Sequence, residues 1–516
     1  MKTRFSLLLF AIFACLFSQA QDTIHVKDPL TWSTQELQPY IGKTVVFDVP
    51  MVVCSNYKGY TISTRRLFTP TNQALPRTSD YNTIVSLNSS GRITLSGFSG
   101  YHRCGEKIYN LKAKVGSDGK SLTWISGEWR GNTRAELEKA DIRQMVGIDS
   151  DCEDCLVACA YNLENYAGTS TKQRIKIAKA LTVINADIFG FVEIAGSDLA
   201  REAVVADLNA HLTNRAYVVC KESVGQGDVQ TVAYVYDSRK IKHLGAIQYN
   251  NKRTQNRKKL ACFEQISNGE RFIFSVNHFK AKSSGGTGGN ADMGDGQGGY
   301  NADRVEEAQS VVDEYKRWSR EIEEKDVLIM GDLNAHGKED PITKLKDNGM
   351  IDLHRAFHAD TSYSYQFSNL AGYLDHALCN ETMRPQITGM VGFHINSDES
   401  DEYTWDKSSD QTMFRGSDHD PVVVGLKLDG SLVYDPKPRI NTEDILTGEA
   451  HHLIIRNAHK DGQRSFYGIY NIEGHIIDHQ EITMDTQVVD LPTAPGIYIL
   501  YVYFDGTVYP YKMIVR

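Results

Sequence analysis

The chain has 516 residues, too many for one ordinary core, so several domains are expected. Hydrophobic residues make up 41% and charged residues 23%, a globular balance that excludes a disordered chain. The net charge of −9 gives no bulk attraction to nucleic acid, although local arginines and metal ions can still neutralise phosphate.

Lys2 and Arg4 precede an apolar run from Phe5 to Phe17, and Ser18-Gln19-Ala20 supplies small residues for cleavage. The pattern predicts a secretory signal peptide over residues 1–20, the run being too short to span a bilayer. With no later run of spanning length, the expectation is a protein without stable membrane insertion, secreted or held at the cell surface. Removing Cys15 from the 9 cysteines leaves an even number, suited to disulfides outside the cytoplasm. Cys54 and Cys104 are one candidate pair. Cys152, Cys155 and Cys159 have zinc-like spacing, but no second ligand pair follows, so disulfides are favoured and the pairing is left open.

Residues 22–148 show short strand-like runs, at Thr44–Val53, Thr83–Leu87, Arg92–Leu95 and Leu122–Ile125, between glycine and asparagine turns. A small β-barrel is expected, and the order of strands resembles the oligonucleotide-binding (OB) folds ahead of some bacterial extracellular nucleases. Tyr57, Tyr60 and Phe68 are then either stacking platforms for single strands or plain packing residues.

Residues 150–430 alternate strands and helices. Strands are predicted at Leu156–Tyr161, Ile188–Ile194, Ala216–Cys220, Gln230–Tyr236, Leu260–Ile266, Phe272–Asn277, Val327–Met330, Tyr373–Cys379 and Pro421–Leu428. Helices are predicted at Gln173–Ile184, Asp198–Leu212 and Ala302–Glu323, an order that suits two packed sheets with helices outside. The glycine-rich stretch from Lys282 to Tyr300 lacks the Lys-Ser/Thr ending of a nucleotide loop, and Asp292 and Asp295 fit no calcium loop, so a flexible lid is expected.

Beyond Pro436 and Pro438, residues 440–516 read as a small β-sandwich. Tyr470-Asn471-Ile472-Glu473-Gly474, Pro495-Gly496-Ile497-Tyr498 and the terminal Lys512–Arg516 resemble the C-terminal sorting domain of type IX secretion substrates. That resemblance implies the type IX machinery as a partner; a purely stabilising sandwich is the alternative.

Several short polar motifs each sit at the C-terminal end of an apolar strand in the middle region, where α/β architectures place their sites. Asn162 lies in Tyr161-Asn162-Leu163-Glu164-Asn165, Glu193 follows Phe189–Val192, and His278 follows Phe274–Asn277. Asp332 and Asn334 lie in Gly331-Asp332-Leu333-Asn334, Asp375 in Gly372–His376, and Asp418 and His419 in Gly416-Ser417-Asp418-His419-Asp420-Pro421. Singly, each is more ordinarily a turn, cap or packing residue. Together, acids, amides and histidines of these types suit one reaction. A phosphodiester repels hydroxide, so a cation and an imidazolium must absorb developing charge, and a histidine held by a carboxylate moves protons near neutral pH.

With these motifs the chain from Cys159 to Leu428 resembles the endonuclease/exonuclease/phosphatase superfamily. The glycine-rich loop, Tyr300–Val305 and Gly331–His336 most resemble bacterial extracellular deoxyribonucleases within it. The resemblance implies an α/β fold, a four-layered α/β sandwich. It implies that Asn162, Glu193 and Asp418, with Glu164 in an outer shell, hold Mg2+, Mn2+ or Ca2+ rather than zinc. It further implies that Asp332 and Asn334 position water and phosphate, that Asp375 orients His419, and that His278 and His419 flank the scissile phosphate. Glu222 matches the acid that orients His278. Arg257 matches a phosphate-gripping arginine, although Lys258 and Lys259 depart from the prolines usual there. The general base stays open among Asp332, His278 and His419. The expected activity is DNA or RNA hydrolysis; the alternatives are a sphingomyelinase-like lipid phosphodiesterase and a non-catalytic surface binding protein on the same fold.

Overall fold

The computed structural model describes residues 24–26, 37–56, 59–63, 66–69, 93–131, 133–220, 230–248, 257–358, 361–367, 370–432, 439–441, 452–456, 458, 464–483, 486–492, 494–504 and 507–515. The expected signal peptide, Tyr57, the strand expected at Thr83–Leu87, Glu222, Pro436 and Pro438 lie outside the described residues.

The N-terminal strands are β1 (Thr44–Phe47), β2 (Met51–Ser55), β3 (Tyr60–Ser63), β4 (Ile93–Ser96), β5 (Lys107–Val115) and β6 (Ser121–Arg130). β2, β3, β4, β6 and β5 pair in that order and β5 returns to β2, closing a five-strand barrel. β4 and β6 run parallel and the other pairs antiparallel. Alternation drives Ile93 and Leu95 inward from β4. In β5 the left-handed Asn110 (φ 53°) shifts the phase, so Ile108 and Leu111 are both buried. Tyr60 packs against this core, and Phe68 lies beside Tyr363.

The middle region contains β7 (Leu156–Tyr166), α1 (Thr171–Ile184), β8 (Ile188–Ile194), α2 (Asp198–His211), β9 (Tyr217–Val219), β10 (Thr231–Asp237), β11 (Ile241–Gln248), β12 (Lys258–Gln265) and β13 (Arg271–His278). It continues with α3 (Asn301–Glu321), β14 (Val327–Asp332), α4 (Asp340–Asp347), β15 (Met350–Asp352), α5 (Leu353–His358), β16 (Tyr365–Phe367), β17 (Leu370–Gly372), β18 (Asp375–Asn380), β19 (Ile387–Gly392) and β20 (Val422–Leu426). One six-stranded sheet has the order β9-β10-β8-β7-β20-β19, the other β11-β12-β13-β14-β18-β15.

Three apolar cores explain the stacking. Ile177, Leu181, Val204 and Leu208 of α1 and α2 cover the outer face of the first sheet. Ala160, Val192 and Val232 meet Phe274, Val276 and Met330 between the sheets. Val311, Val312 and Leu345 of α3 and α4 cover Ile273 and Ile329 of the second. α1 starts where Ser170 Oγ accepts from Gln173 N at 3.3 Å and stops at left-handed Asn185.

Two expectations are corrected. Cys152 and Cys155 form a disulfide, but Cys54 and Cys104 stay separate buried thiols, and Cys159 is buried unpaired on β7. Cys54 packs with Leu67 and Leu370 and points its sulfur at Val52 O, whereas Cys104 belongs to the barrel core. The glycine-rich stretch is bonded in place rather than a free lid. The fully buried Arg304 donates to the carbonyls of Lys280, Gln297 and Gly299, and Tyr300 N donates to Asn290 O at 2.8 Å. Asp292 and Asp295 each accept a backbone N–H within their own turns.

The C-terminal region has β21 (Arg439–Asn441), β22 (His452–Arg456), β23 (Ser465–Asn471), β24 (Ile476–Ile482), β25 (Thr486–Asp490), β26 (Gly496–Phe504) and β27 (Thr507–Val515). A three-stranded sheet (β21-β22-β25) and a four-stranded one (β24-β23-β26-β27) share a core of Leu453, Ile455, Ile469 and Leu500.

The sheets approach closely at Gly190, where a Cβ would lie 2.2 Å from Val276 Cγ2. Gly190→Ala is expected to lower stability by about 1–3 kcal/mol, read as a fall in Tm; an unchanged Tm would show that the sheets separate freely there.

Candidate active site

Three strand partners place the first residues. In β13, β14 and β18, His278 is the register partner of Asp332, and Asp332 that of Asp375. Val276, Met330 and Ala377, two residues away in each strand, fill the core between the sheets. The period of two therefore carries His278, Asp332 and Asp375 along the same face, past the end of that core. On the facing sheet Ala158 and Ala160 fill the core and Asn162 continues their row. Its Nδ2 donates to Asp332 Oδ2 at 3.1 Å, joining the two sheets.

Beyond Asn162 the strand pairing is irregular, and Glu164, Asn165 and Glu193 all have positive φ, at 50°, 55° and 54°. These turns break alternation and aim the acids into the cleft. Glu193 Oε1 lies 3.6 Å from His278 Nε2, and its Oε2 accepts from Asn165 N at 3.2 Å. Asp375 and His419 stand at the N-terminal ends of antiparallel strands, not at C-terminal ends. An antiparallel strand starts at the edge where its neighbours finish, so they reach the same cleft.

Asp332 is the centre. Its Oδ1 accepts from Asn334 N at 2.9 Å, and its Oδ2 lies 3.7 Å from His278 Nε2 and 3.9 Å from His419 Nε2. Left-handed Asn334 (φ 47°) also donates to Phe279 O at 3.1 Å. His419 Nδ1 is 2.7 Å from Asp375 Oδ2, which also accepts from Ser364 Oγ at 2.6 Å. Tyr365 stacks on the His419 ring at 4.6 Å between centroids. Arg257 donates to Gln230 Oε1, and its carbonyl accepts from His278 N at 2.7 Å, which puts it at the rim.

The electrostatics divide the two histidines. Burial, reinforced by Arg257, His419 and Lys280, holds His278 well below the usual imidazole range. Burial opposes charge on His419 too, but Asp375, Asp418 and Asp332 outweigh it and hold its pKa well above that range. Burial raises Asp332 to about 7, with His419 opposing and Asp375 and Glu193 adding. Burial also raises Glu193, and lifts Glu164 to about 7, with the partly exposed Asp418 adding to both.

Glu193, His278 and Asp332 offer ligand atoms within 4.8 Å of one another, as do Asp332, Asp375 and His419. Glu164 Oε2 is buried with no hydrogen-bond partner. An orphaned carboxylate oxygen close to Glu193, which like Asp332 is itself pushed toward its neutral form, fits a hard divalent cation with oxygen ligands. Of the expected holders, Glu193, Glu164 and Asp418 face this group, while the Asn162 amide oxygen already accepts from Glu164 N at 3.0 Å. His278 Nδ1 has no partner among the described residues.

Ser364, Tyr365, Gln230 and Asn396 were not singled out by the sequence. Ser364 and Tyr365 lie in an alternating polar–aromatic run with no motif, and Asn396, which donates to His419 O at 2.6 Å, lies in a long loop.

The sequence model described as the endonuclease/exonuclease/phosphatase family matches residues 159–419. No curated protein sequence matches the chain significantly. Among solved structures, the chain is similar to an endonuclease/exonuclease/phosphatase from Bacteroides vulgatus, with 14% identity, 53% of this chain and 99% of that one covered, and a TM-score of 0.38. It is similar to the human Nocturnin catalytic domain, with 11% identity, 53% and 94% covered, and a TM-score of 0.38. It is also similar to D. rerio TDP2 complexed with single strand DNA product, with 12% identity, 54% and 100% covered, and a TM-score of 0.38.

Beneath the site, buried His354 is held neutral by burial, with His376 and His358 adding; its Nε2 lies 2.8 Å from Asp375 O. Its folded pKa lies below its unfolded value, so the unfolded chain binds the extra proton between the two. Stability is then full above about 6.5 and falls as pH drops below it. His354→Asn should make the slope of unfolding free energy against pH shallower below about 6, measured by denaturant titration; an unchanged slope would rule His354 out as a contributor.

Proposed function

The chain belongs to the endonuclease/exonuclease/phosphatase family, and from that premise we propose that it is an exported, divalent-metal-dependent endonuclease acting on DNA, and on RNA, with little sequence preference. Within this reading the order of helices, sheet, sheet and helices is a four-layered α/β sandwich, and the closed barrel is OB-like. The signal-peptide pattern supports export, and the motifs of the last domain support type IX sorting. The deoxyribonuclease-like Gly331–His336 stretch and Arg257 at the rim support a nucleic-acid substrate over a lipid headgroup or a surviving non-catalytic shell.

The observation that carries the reading is Asp332 set between two imidazoles, with a crowd of carboxylates beside it. Glu193 and Asp418, with Glu164 and Asn162, are the residues that would hold Mg2+, Mn2+ or Ca2+, and a cation there supplies Lewis acidity at the phosphoryl oxygens. Asp332, steered by the Asn334 N–H and by Asn162, is placed to accept the proton of the attacking water. Neutral His278 donates a hydrogen bond to a phosphate oxygen. His419 turns Nε2 to the cleft because Nδ1 is taken by Asp375, so charge developing on the phosphorane meets a fixed imidazolium.

Purified full-length protein should nick supercoiled plasmid with Mg2+ and lose that activity in a chelator. His419→Ala and Asp375→Asn should each lower kcat by about 10²–10⁴-fold. Phosphocholine release from sphingomyelin with plasmid left intact would move the substrate to lipid, and binding without hydrolysis of any phosphodiester would discard the enzymatic reading.

A further inference from the structure

The barrel bonds to the middle region through two separate segments, and both hold the His419–Asp375 pair. The first is the hairpin of β16 and β17. Thr69 N donates to Ala371 O at 2.9 Å and Ala371 N to Leu67 O at 2.8 Å, so the chain after β3 extends the hairpin. Gln366 of β16 donates to Cys54 O at 2.5 Å and accepts from Arg66 Nη2 at 3.0 Å. Immediately before β16 comes Ser364, bonded to Asp375, and its first residue is Tyr365, stacked on His419.

The second segment is the loop between β19 and β20. Arg66 Nη2 lies 2.7 Å from Asp398 Oδ1, and Arg103 Nε donates to Glu399 Oε1 at 2.5 Å. Tyr101 OH and Arg134 also donate to Glu399, whose side chain is wholly buried. Arg103 reaches further, donating to His394 O. From the same loop His394 Nδ1 meets Asp420 Oδ2 at 2.9 Å, and Asn396 donates both to Asp420, through its N–H, and to His419 O.

A wholly buried carboxylate is tolerated only where its partners sit, so the loop and the barrel hold one another in a single arrangement. A tethered binding module would instead meet its neighbour through a hydrated, polar interface. We propose that the barrel is part of the catalytic machinery's frame, with Arg103 and Arg66 as positioning residues that set the His419–Asp375 pair. The inference rests on reading His419 of that pair as the imidazolium that stabilises the phosphorane in phosphodiester hydrolysis.

The test uses the full chain and two readouts. One is the downfield proton resonance of the His419 Nδ1–H bonded to Asp375, assigned by its loss in Asp375→Asn. The other is kcat and KM for Mg2+-supported plasmid nicking. Arg103→Ala and Arg66→Ala should broaden or shift that resonance and lower kcat about 10- to 100-fold, with KM changed by less than about twofold. Arg103→Lys should recover part of both. Leu122→Ala, which loosens the barrel's own core away from the seam, should lower Tm yet leave resonance and kcat as they were. Should Arg103→Ala not fold, Gln366→Ala at the partly exposed edge of the seam gives the same two readouts. A folded Arg103→Ala or Gln366→Ala with unchanged resonance and kcat overturns the proposal. A wild-type protein that cleaves nothing, while its resonance still responds to Arg103→Ala, overturns the functional reading and leaves the positioning intact.

Discussion

The hydrogen-bond register of β13, β14 and β18 sets His278, Asp332 and Asp375 side by side in one row, and every other part of the site is built against that row. Cross-strand partners project to one face with Cβ atoms about 5 Å apart, and a slip of one residue would turn a whole strand's side chains to the other face. Such a slip is blocked in two ways. Val276, Met330 and Ala377 are locked into the core between the sheets. Gly331, at φ 124°, lets β14 approach so closely that a Cβ there would sit 2.1 Å from Asn277 O. The core that holds the sheets together therefore also keeps this row in phase.

Charge explains the rest of the arrangement. Burying carboxylates beside one another is unfavourable unless positive charge compensates. His419 supplies part of it, gripped by Asp375. On the other side of Asp332 burial pushes the acids Glu193 and Glu164 toward their neutral forms, a strain that a divalent ion would relieve. The two imidazoles differ because burial and neighbouring basic groups prevail at His278, whereas at His419 the bonded Asp375 and the other acids outweigh burial.

Support for His419 comes from far along the chain. Ser364 and Tyr365 fix one side of its pair, Asn396 its carbonyl, and the barrel braces both segments. Little of this was legible beforehand. Strands such as Ile188–Ile194 and motifs such as Gly331–Asn334 announce themselves because an apolar run ends abruptly in polar residues. Other strands were silent. β24 keeps most residues exposed and lacks apolar alternation, while β5 hides its period behind the bulge at Asn110. The glycine-rich stretch suggested mobility by composition, yet one buried arginine supplied by the following helix ties it down. The cysteine count suggested more pairing than Cys152–Cys155, because parity carries no information about which sulfurs meet.

By itself the sequence determined which residue types stand at the strand ends of the middle region, and hence the class of chemistry they suit, since both follow from local hydrophobic period and side-chain type. Only the tertiary structure decided that Asp332 lies between His278 and His419, that backbone turns at Glu164 and Glu193 aim the acids inward, and that a barrel more than two hundred residues upstream braces the loop around Glu399. Those relations depend on strand register, on positive φ and on partners up to 342 residues apart, which no local pattern encodes.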